Sequence, residues 1–295
     1  MNIAFSVDSN YLPYCSVAIQ SIIQNHNSNN NLKFYISHFP DVLNIEKILD
    51  QIKLYGHDAV SLPVEYKYVE SFPIRAHISR TAYLRLLLPE LLPITVKKIL
   101  YLDCDLIVMS DLSELFHQDL EHYSTAMISE LGNKSSDNLR EEYNSGVMLM
   151  DINKWRDKGI SKKIIEYIMT HESILKWMDQ TAINNTIWND VKKLDIKWNM
   201  ITPYFTDNHI NYSDVEKELI KNAKADTRIV HFTTASKPWD YINNHPYQQK
   251  FLDYLKETPF SQIKLSKKNT KTILKKFRRM IRSKLYKDLK KNFKI

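Results

Sequence analysis

Asp103 and Asp105 interrupt the apolar run ILYLDCDLIVM at 99–109, the stretch of this chain that is hardest to explain by packing alone. Strand side chains alternate between faces, so carboxylates two residues apart point the same way, about 7 Å apart on an extended chain. Taking a charge out of water is costly unless it is paired or bound to metal, and two like charges together make it worse. The pair invites a divalent cation; a solvated turn with an accidental Asp-Cys-Asp is the competing reading, and other residues must decide. RIVHFTTASKPWD at 228–240 gathers an imidazole, an ammonium and an indole, His231, Lys237 and Trp239, just after a strand-like stretch. Alone, His231 reads as a hydrogen-bonded core histidine and Lys237 as a solvated cation. Combined with the aspartates they take on meaning, because two carboxylates and one imidazole leave open positions on an octahedral ion for diphosphate oxygens. Such an ion would act as a Lewis acid on a leaving phosphate, and Lys237 would stabilise the developing charge.

An alternation of strands and helices is expected to carry these residues. Residues 2–7 read as a buried strand, and 13–25 as a helix with Val17, Ile19, Ile22 and Ile23 at helical spacing. A strand at 32–37, a helix at 44–55 and a strand at 59–62 repeat the unit, implying a mostly parallel sheet. Residues 80–88 read as a helix closed by Pro89. Further strands are expected at 99–102, 125–129, 146–151 and 228–232, with helices near 161–170 and 181–188. Ligands of open α/β sheets sit beyond the carboxyl ends of strands, where the aspartates fall.

Glycine is scarce, with Gly56, Gly132, Gly146 and Gly159 the only four, and none belongs to a phosphate-cradling G-x-G-x-x-G or G-x-x-x-x-G-K pattern. That argues against a dinucleotide dehydrogenase, a P-loop nucleotidase and a nucleotidylyltransferase with a glycine-rich phosphate loop. The 295 residues, 43% hydrophobic, suffice for one large α/β domain at 1–260. Cys15 and Cys104 form neither a disulfide framework nor a zinc spacing, which fits a reducing cytoplasm. The N-terminus lacks a signal-peptide pattern and no run of 18 apolar residues occurs, so neither secretion nor a membrane span is expected.

The formal charge of +7 is unevenly distributed. Residues 261–295 carry 14 Lys and Arg against the single acid Asp288, whereas 1–260 are net −6. A nucleic-acid-binding body would spread basic residues over a folded face, so no nucleic-acid partner is expected. In the tail Ile273, Phe277, Ile281, Leu285, Leu289 and Phe293 recur every four residues with Lys and Arg between them. A basic amphipathic helix of this kind suits an anionic membrane surface, each Lys or Arg near it contributing about 1 kcal/mol. A disordered basic end, or a helix docked on the acidic body, is the alternative.

Six blocks in order carry a resemblance: FSVDSNY (5–11), HISRTAYLRL (77–86), LYLDCDLIV (100–108), YNSGVMLMDINKWR (143–156), DQTAIN (179–184) and HFTTASKPW (231–239). Together they make the chain resemble retaining glycosyltransferase family 8, especially bacterial lipopolysaccharide and lipooligosaccharide galactosyl- and glucosyltransferases. The resemblance implies the GT-A nucleotide-diphospho-sugar transferase fold, a mostly parallel mixed sheet flanked by helices. It also implies a UDP-sugar donor and Mn²⁺ or Mg²⁺ as cofactor. Carried over, it puts Asp8 and Asn10 near the uridine with Tyr11 stacked on uracil, and gives Arg85, unaided a surface charge, a contact with the donor sugar. It makes Asp103, Asp105 and His231 the metal ligands and sets Lys237 on the diphosphate. Asn144 and Asp179 would hold sugar hydroxyls, and Gln180 would lie beneath the anomeric carbon.

Gln180 is a neutral amide and a poor nucleophile, so a glycosyl-enzyme of the two-carboxylate kind is not evident. Same-face internal return is preferred, with rate coming from positioning and metal electrostatics. Relatives often read D-Q-D where this chain has Asp179, Gln180 and Thr181, and glycine where it has Thr234, which leaves acceptor identity and local phosphate geometry open. The expected protein is a cytoplasmic hexosyltransferase, peripherally attached to the inner face of the membrane, moving galactose or glucose from UDP to a cell-envelope glycan or glycolipid. A UDP-sugar hydrolase and a non-catalytic sugar-nucleotide-binding membrane scaffold are the alternatives.

Overall fold

A computed structural model describes residues 1–27, 30–73, 79–134, 140–206, 212–267, 270 and 272–273. The basic helix expected beyond residue 273 lies outside the described residues, as do His77 and Ile78. The expected alternation opens the chain: β1 (Asn2–Val7), α1 (Leu12–Asn25), β2 (Lys33–His38), α2 (Ile45–Leu54) and β3 (Asp58–Pro63). After α3 (Leu84–Leu91) come β4 (Lys98–Leu102), β5 (Leu106–Val108), α4 (Ser113–Phe116), β6 (Thr125–Lys134) and β7 (Glu141–Asp151). The remainder comprises α5 (Ile152–Asp157), α6 (Ile160–Thr170), α7 (Met178–Ile187), β8 (Val191–Leu194), β9 (Met200–Ile201), α8 (Asp214–Ala225), β10 (Ile229–His231) and α9 (Gln248–Lys256).

Seven strands form one mixed sheet in the order β3-β2-β1-β4-β7-β6-β8, and β5-β10-β9 form a second, smaller sheet. In the large sheet β1 pairs in parallel with both β2 and β4, while β7 runs antiparallel to β4 and β6. Both faces are apolar. Ile3, Phe5, Leu100 and Leu102 pack toward α1 and α2, whereas Ala4, Ile99 and Tyr101 share a cluster with residues of α3, α5, α6 and α7. A sheet covered on both faces explains why its strands read as continuous hydrophobic runs. Strand order reverses between β1 and β4, and the crevice at such a reversal is where open α/β sheets take their ligands.

Three expectations change. The DxD run is not one extended strand, because the chain leaves the large sheet after Leu102, bends at Cys104–Asp105 and enters the small sheet at Leu106. Pro89 does not close its helix; α3 continues to Leu91, a single N–H is lost, and the Arg156 guanidinium donates to the carbonyls of Pro89 and Leu92 at 2.7 Å. Helix α7 begins at Met178 rather than 181, so Asp179 and Gln180 lie in its first turn. A bridge between Asp240 and Ser266, reinforced by Lys267 Nζ 2.6 Å from Asp240, holds the residues just beyond 260 against the body.

One irregularity sets up the site. Met127 pairs with Met148 but the next residue, Ile128, pairs with Asn144, so 145–147 bulge from β7. A bulge redirects backbone and side chains from the ladder. Here it frees the N–H groups of Ser145 and Gly146 while the Gly146 carbonyl still accepts from the Asp103 N–H at 2.9 Å.

Candidate active site

Asp103, Asp105 and His231 converge where the two sheets meet, each offering a ligand atom within 4.8 Å of the others. His231 ends β10, which lies antiparallel beside β5 with His231 opposite Leu106, so backbone pairing brings the imidazole to the DxD bend. Its Nε2 is 3.1 Å from Asp105 Oδ1 and 3.8 Å from Asp103 Oδ2. Asp105 Oδ2 accepts from Lys237 Nζ at 2.6 Å, and the same ammonium donates to the Phe232 carbonyl. Burial alone would raise the Asp105 pKa, but the ammonium and imidazole beside it hold it well below the usual carboxylate range.

Arg85 is no surface charge. It is buried on α3, reaching Asp103 Oδ1 at 2.9 Å and Asp179 Oδ2 at 3.1 Å, donating to the Ser145 carbonyl at 2.7 Å and lying over the Tyr101 ring. Tyr101 also donates to Asp103 Oδ1, at 2.9 Å, so Oδ2 is the oxygen left facing His231. Asp179 is buried as well, and its carboxyl pKa is raised by that burial against the pull of Arg85. Its Oδ2 is paired with the Arg85 charge but accepts no hydrogen bond among the described residues, the Arg85 Nε–H donating instead to the Ala82 carbonyl at 2.9 Å.

Gln180 Oε1 accepts from the Ser145 N–H and from Asn144 Nδ2, both at 3.2 Å. Asn144 Oδ1 accepts from the Gly146 N–H at 3.0 Å and from Asn199 Nδ2 at 2.8 Å. Asn199 in turn meets His231 Nδ1 at 2.9 Å. Glu130, on β6, engages the side chains of Asn144 and Gln180, and burial raises its pKa.

At the end of β1, Asp8 Oδ1 accepts from the N–H groups of Asn10 and Tyr11 at 2.9 and 3.0 Å, shaping the turn into α1. Tyr11 lies edge-on to Tyr14 and Trp239, and Trp239 stacks on Tyr14 with centroids 3.5 Å apart. A cleft of about 320 Å³ beside this turn is lined by Asp8, Asn10, Phe39, Tyr66, Arg80 and Thr81.

The expected residues thus gather at one end of the large sheet. Asp103, Asp105, His231, Lys237, Arg85, Asp179, Asn144 and Gln180 form one contact network, and Asp8, Asn10 and Tyr11 border it at β1. Sequence reasoning missed Glu130, Gly146 and Asn199, although a lone carboxylate in the apolar strand ISEL and a lone amide in IKWNM were signals. A divalent cation fits the donor set of two carboxylate oxygens and an imidazole nitrogen. A methyl on Gly146 would sit 2.2 Å from His231 Cε1 and 2.7 Å from Asp103 Oδ2, so only glycine leaves this cradle open. Asp103, Asp105, Asp179 and Glu130 also outnumber the cations Arg85 and Lys237, an excess that such an ion would offset.

The family model for glycosyl transferase family 8 matches residues 2–243. The chain belongs to glycosyl transferase family 8. It is an enzyme, a hexosyltransferase. Among family relatives, lipopolysaccharide 1,2-glucosyltransferase of Escherichia coli (strain K12) is 30% identical over 285 residues, 88% of this chain and 79% of that protein. Lipopolysaccharide 1,3-galactosyltransferase of Salmonella typhimurium is 26% identical, covering 90% of this chain and 80% of the relative. The crystal structure of galactosyltransferase LgtC with donor and acceptor sugar analogs superposes with a TM-score of 0.78 at 22% identity, over 88% of this chain and 96% of that one. The family 8 fold is the GT-A fold expected from the sequence. Among the described residues no helix is long and apolar enough to cross a membrane.

Proposed function

We propose that this family 8 enzyme moves galactose or glucose from a UDP-sugar, with retention, to a cell-envelope glycan such as lipopolysaccharide or lipooligosaccharide. The observation that carries the reading is the meeting of Asp103, Asp105 and His231 within 4.8 Å, beside Lys237, at the strand-order reversal. Asp103, Asp105 and His231 are assigned as ligands of Mn²⁺ or Mg²⁺, which when bound supplies Lewis-acid neutralisation of the diphosphate. Arg85 and Tyr101 fix Asp103, and Lys237 fixes Asp105, so the carboxylates are oriented in advance.

Lys237 is assigned to the diphosphate, Asp8 and Asn10 to the uridine, and Tyr11 to the uracil face, where aromatic contact substitutes for a glycine-rich cradle. The buried Arg85, Asn144 and Asp179 would orient the sugar, with Asp179 Oδ2, ion-paired with Arg85 but accepting no hydrogen bond among the described residues, open to a sugar hydroxyl. Gln180, with Oε1 pinned by the Ser145 N–H, would flank the anomeric carbon as charge develops there. The C1–O bond to diphosphate breaks, a C1–O bond to the acceptor forms on the same face, and the acceptor proton passes to the leaving phosphate oxygen. Positioning and electrostatics then carry the rate.

The catalytic unit is assigned to about residues 1–260, with 261–295 as a basic tail attaching a cytoplasmic enzyme to the anionic inner membrane face, beside a glycolipid acceptor. Release of UDP from a panel of UDP-sugars, with Mn²⁺ and with or without envelope glycan, tests the reading. Acceptor-dependent release with UDP-galactose or UDP-glucose is expected. UDP binding without turnover would favour a scaffold, and release indifferent to acceptor would favour a hydrolase; either overturns the proposal.

A further inference from the structure

The amides between the anomeric and cation subsites have only one self-consistent orientation. Backbone N–H groups can only donate, and two of them, from the bulged Ser145 and Gly146, point at Gln180 and Asn144 at 3.2 and 3.0 Å. The atoms they meet must be the carbonyl oxygens of those amides. Asn144 Nδ2 therefore donates to Gln180, and Asn144 Oδ1 must receive a donor from Asn199, at 2.8 Å. That fixes Asn199 Nδ2 toward Asn144 and Asn199 Oδ1 toward His231 Nδ1, at 2.9 Å. An acceptor facing Nδ1 requires a proton on Nδ1, so in the neutral imidazole, the form that can ligate a cation, the Nε2 lone pair is aimed at Asp103 and Asp105.

This matters because the opposite arrangement has its own attraction. Asp105 Oδ1 lies 3.1 Å from Nε2 and would welcome a proton there, where it would block ligation. Asn199 and His231 are 1% and 3% exposed, so solvent is poorly placed to replace the amide. We propose that Asn199 is a positioning residue that holds His231 as the Nδ1–H tautomer with a bare Nε2, its polarity imposed by the β7 bulge through Asn144. The inference rests on the reading that His231 ligates a cation, and it adds that the Gln180 amide and the ligand imidazole are oriented by one chain of hydrogen bonds. Outer partners of this kind are typically worth 10- to 100-fold in metal affinity.

The test uses the full chain. ¹⁵N spectra of the metal-free wild-type protein report which His231 nitrogen carries the proton, and titration with Mn²⁺ alone, followed by electron paramagnetic resonance, reports affinity. The wild type is expected to show protonated Nδ1. Asn199→Leu should move the proton to Nε2 and weaken Mn²⁺ binding about 10- to 100-fold. Asn199→Asp, which keeps an acceptor for Nδ1, should retain the wild-type signature and bind Mn²⁺ within about threefold of wild type, while losing turnover because it cannot donate to Asn144. A wild-type spectrum in which the neutral imidazole carries its proton on Nε2 overturns the proposal even if Asn199→Leu fails to fold, as does a folded Asn199→Leu with unchanged affinity. Failure of the wild type to bind Mn²⁺ would instead overturn the cation reading beneath it.

Discussion

Gly146→Ala is a one-methyl test of the site. Gly146 does not have positive φ, so alanine meets no backbone penalty and the effect is steric. The new Cβ would lie 2.2 Å from His231 Cε1, 2.7 Å from Asp103 Oδ2 and 3.0 Å from His231 Nδ1. Restoring an ordinary contact of about 3.5 Å requires the imidazole to retreat by more than about 1 Å. The ring has little freedom to do so, being held by Asn199 on one side and packed at 3% exposure. Overpacking of this kind costs about 1–3 kcal/mol of stability. A ring displaced so far also loses its alignment on the aspartates, and a 10- to 100-fold weaker Mn²⁺ site lowers metal-dependent stabilisation by about 1.4–2.7 kcal/mol at saturating ion. Thermal unfolding with and without Mn²⁺, alongside titration of the free protein, separates the two effects. A folded Gly146→Ala with wild-type Mn²⁺ affinity and transfer rate would refute the convergence of these side chains on one ion.

Asp105→Ala should reduce transfer by about a thousandfold while circular dichroism remains native, because it removes a proposed cation ligand and the partner of Lys237; substantial activity in a folded variant would remove the carboxylate from the mechanism. Glu130→Gln should cost about tenfold in kcat with retention of configuration, as expected of a group that anchors Gln180; a loss beyond about a thousandfold, or azide rescue with inverted product, would make Glu130 the nucleophile and sink internal return. His245 is pushed down to about 4 from 6.5 by burial, with Nδ1 already accepting from the Tyr247 N–H at 3.2 Å. The unfolded chain then binds a proton that the folded one resists, so stability is full above pH 6.5, falls as pH drops toward 4, and loses about 3 kcal/mol in all; an unchanged pH slope of the melting temperature in His245→Gln would exclude this histidine as its source. Deleting 274–295, which spares the Asp240–Ser266 bridge, should abolish sedimentation with anionic vesicles and leave turnover on a soluble acceptor intact; unchanged sedimentation would end the membrane assignment.

Much of the scaffold was legible because local chemistry and global fold agree. Strands β1 to β3 and helix α1 follow from apolar runs and 3.6-residue spacing, since a sheet covered on both faces admits few polar residues. Helix α8 carried an unread signal, the capping box between Ser213 and Glu216. The aspartates and His231 were identifiable by residue type, but not their geometry, because the bend that unites them arises from a second sheet that pairs across long separations. Arg85 looked like a surface charge in an amphipathic helix; its burial against Asp103 and Asp179 is tertiary. Asn199 escaped for the same reason, its partners lying 32 and 55 residues away. An amide in an apolar segment announces a buried hydrogen bond and not its recipient.

Asp103 closes the large sheet and Asp105 opens the small one, so their separation gauges the alignment of two independently paired sets of strands. Helix α1 rivets those sets together: Ser21 Oγ accepts from the Val108 N–H at 2.9 Å and Asn25 Nδ2 donates to the Val108 carbonyl at 3.1 Å. A shear of a few tenths of an ångström between the layers would change the bite of the aspartates without touching either one. Whatever clasps both carboxylates fastens the layers together, so a substitution at Ser21 or Asn25, remote from any substrate, could be felt at the centre as a loosened grip.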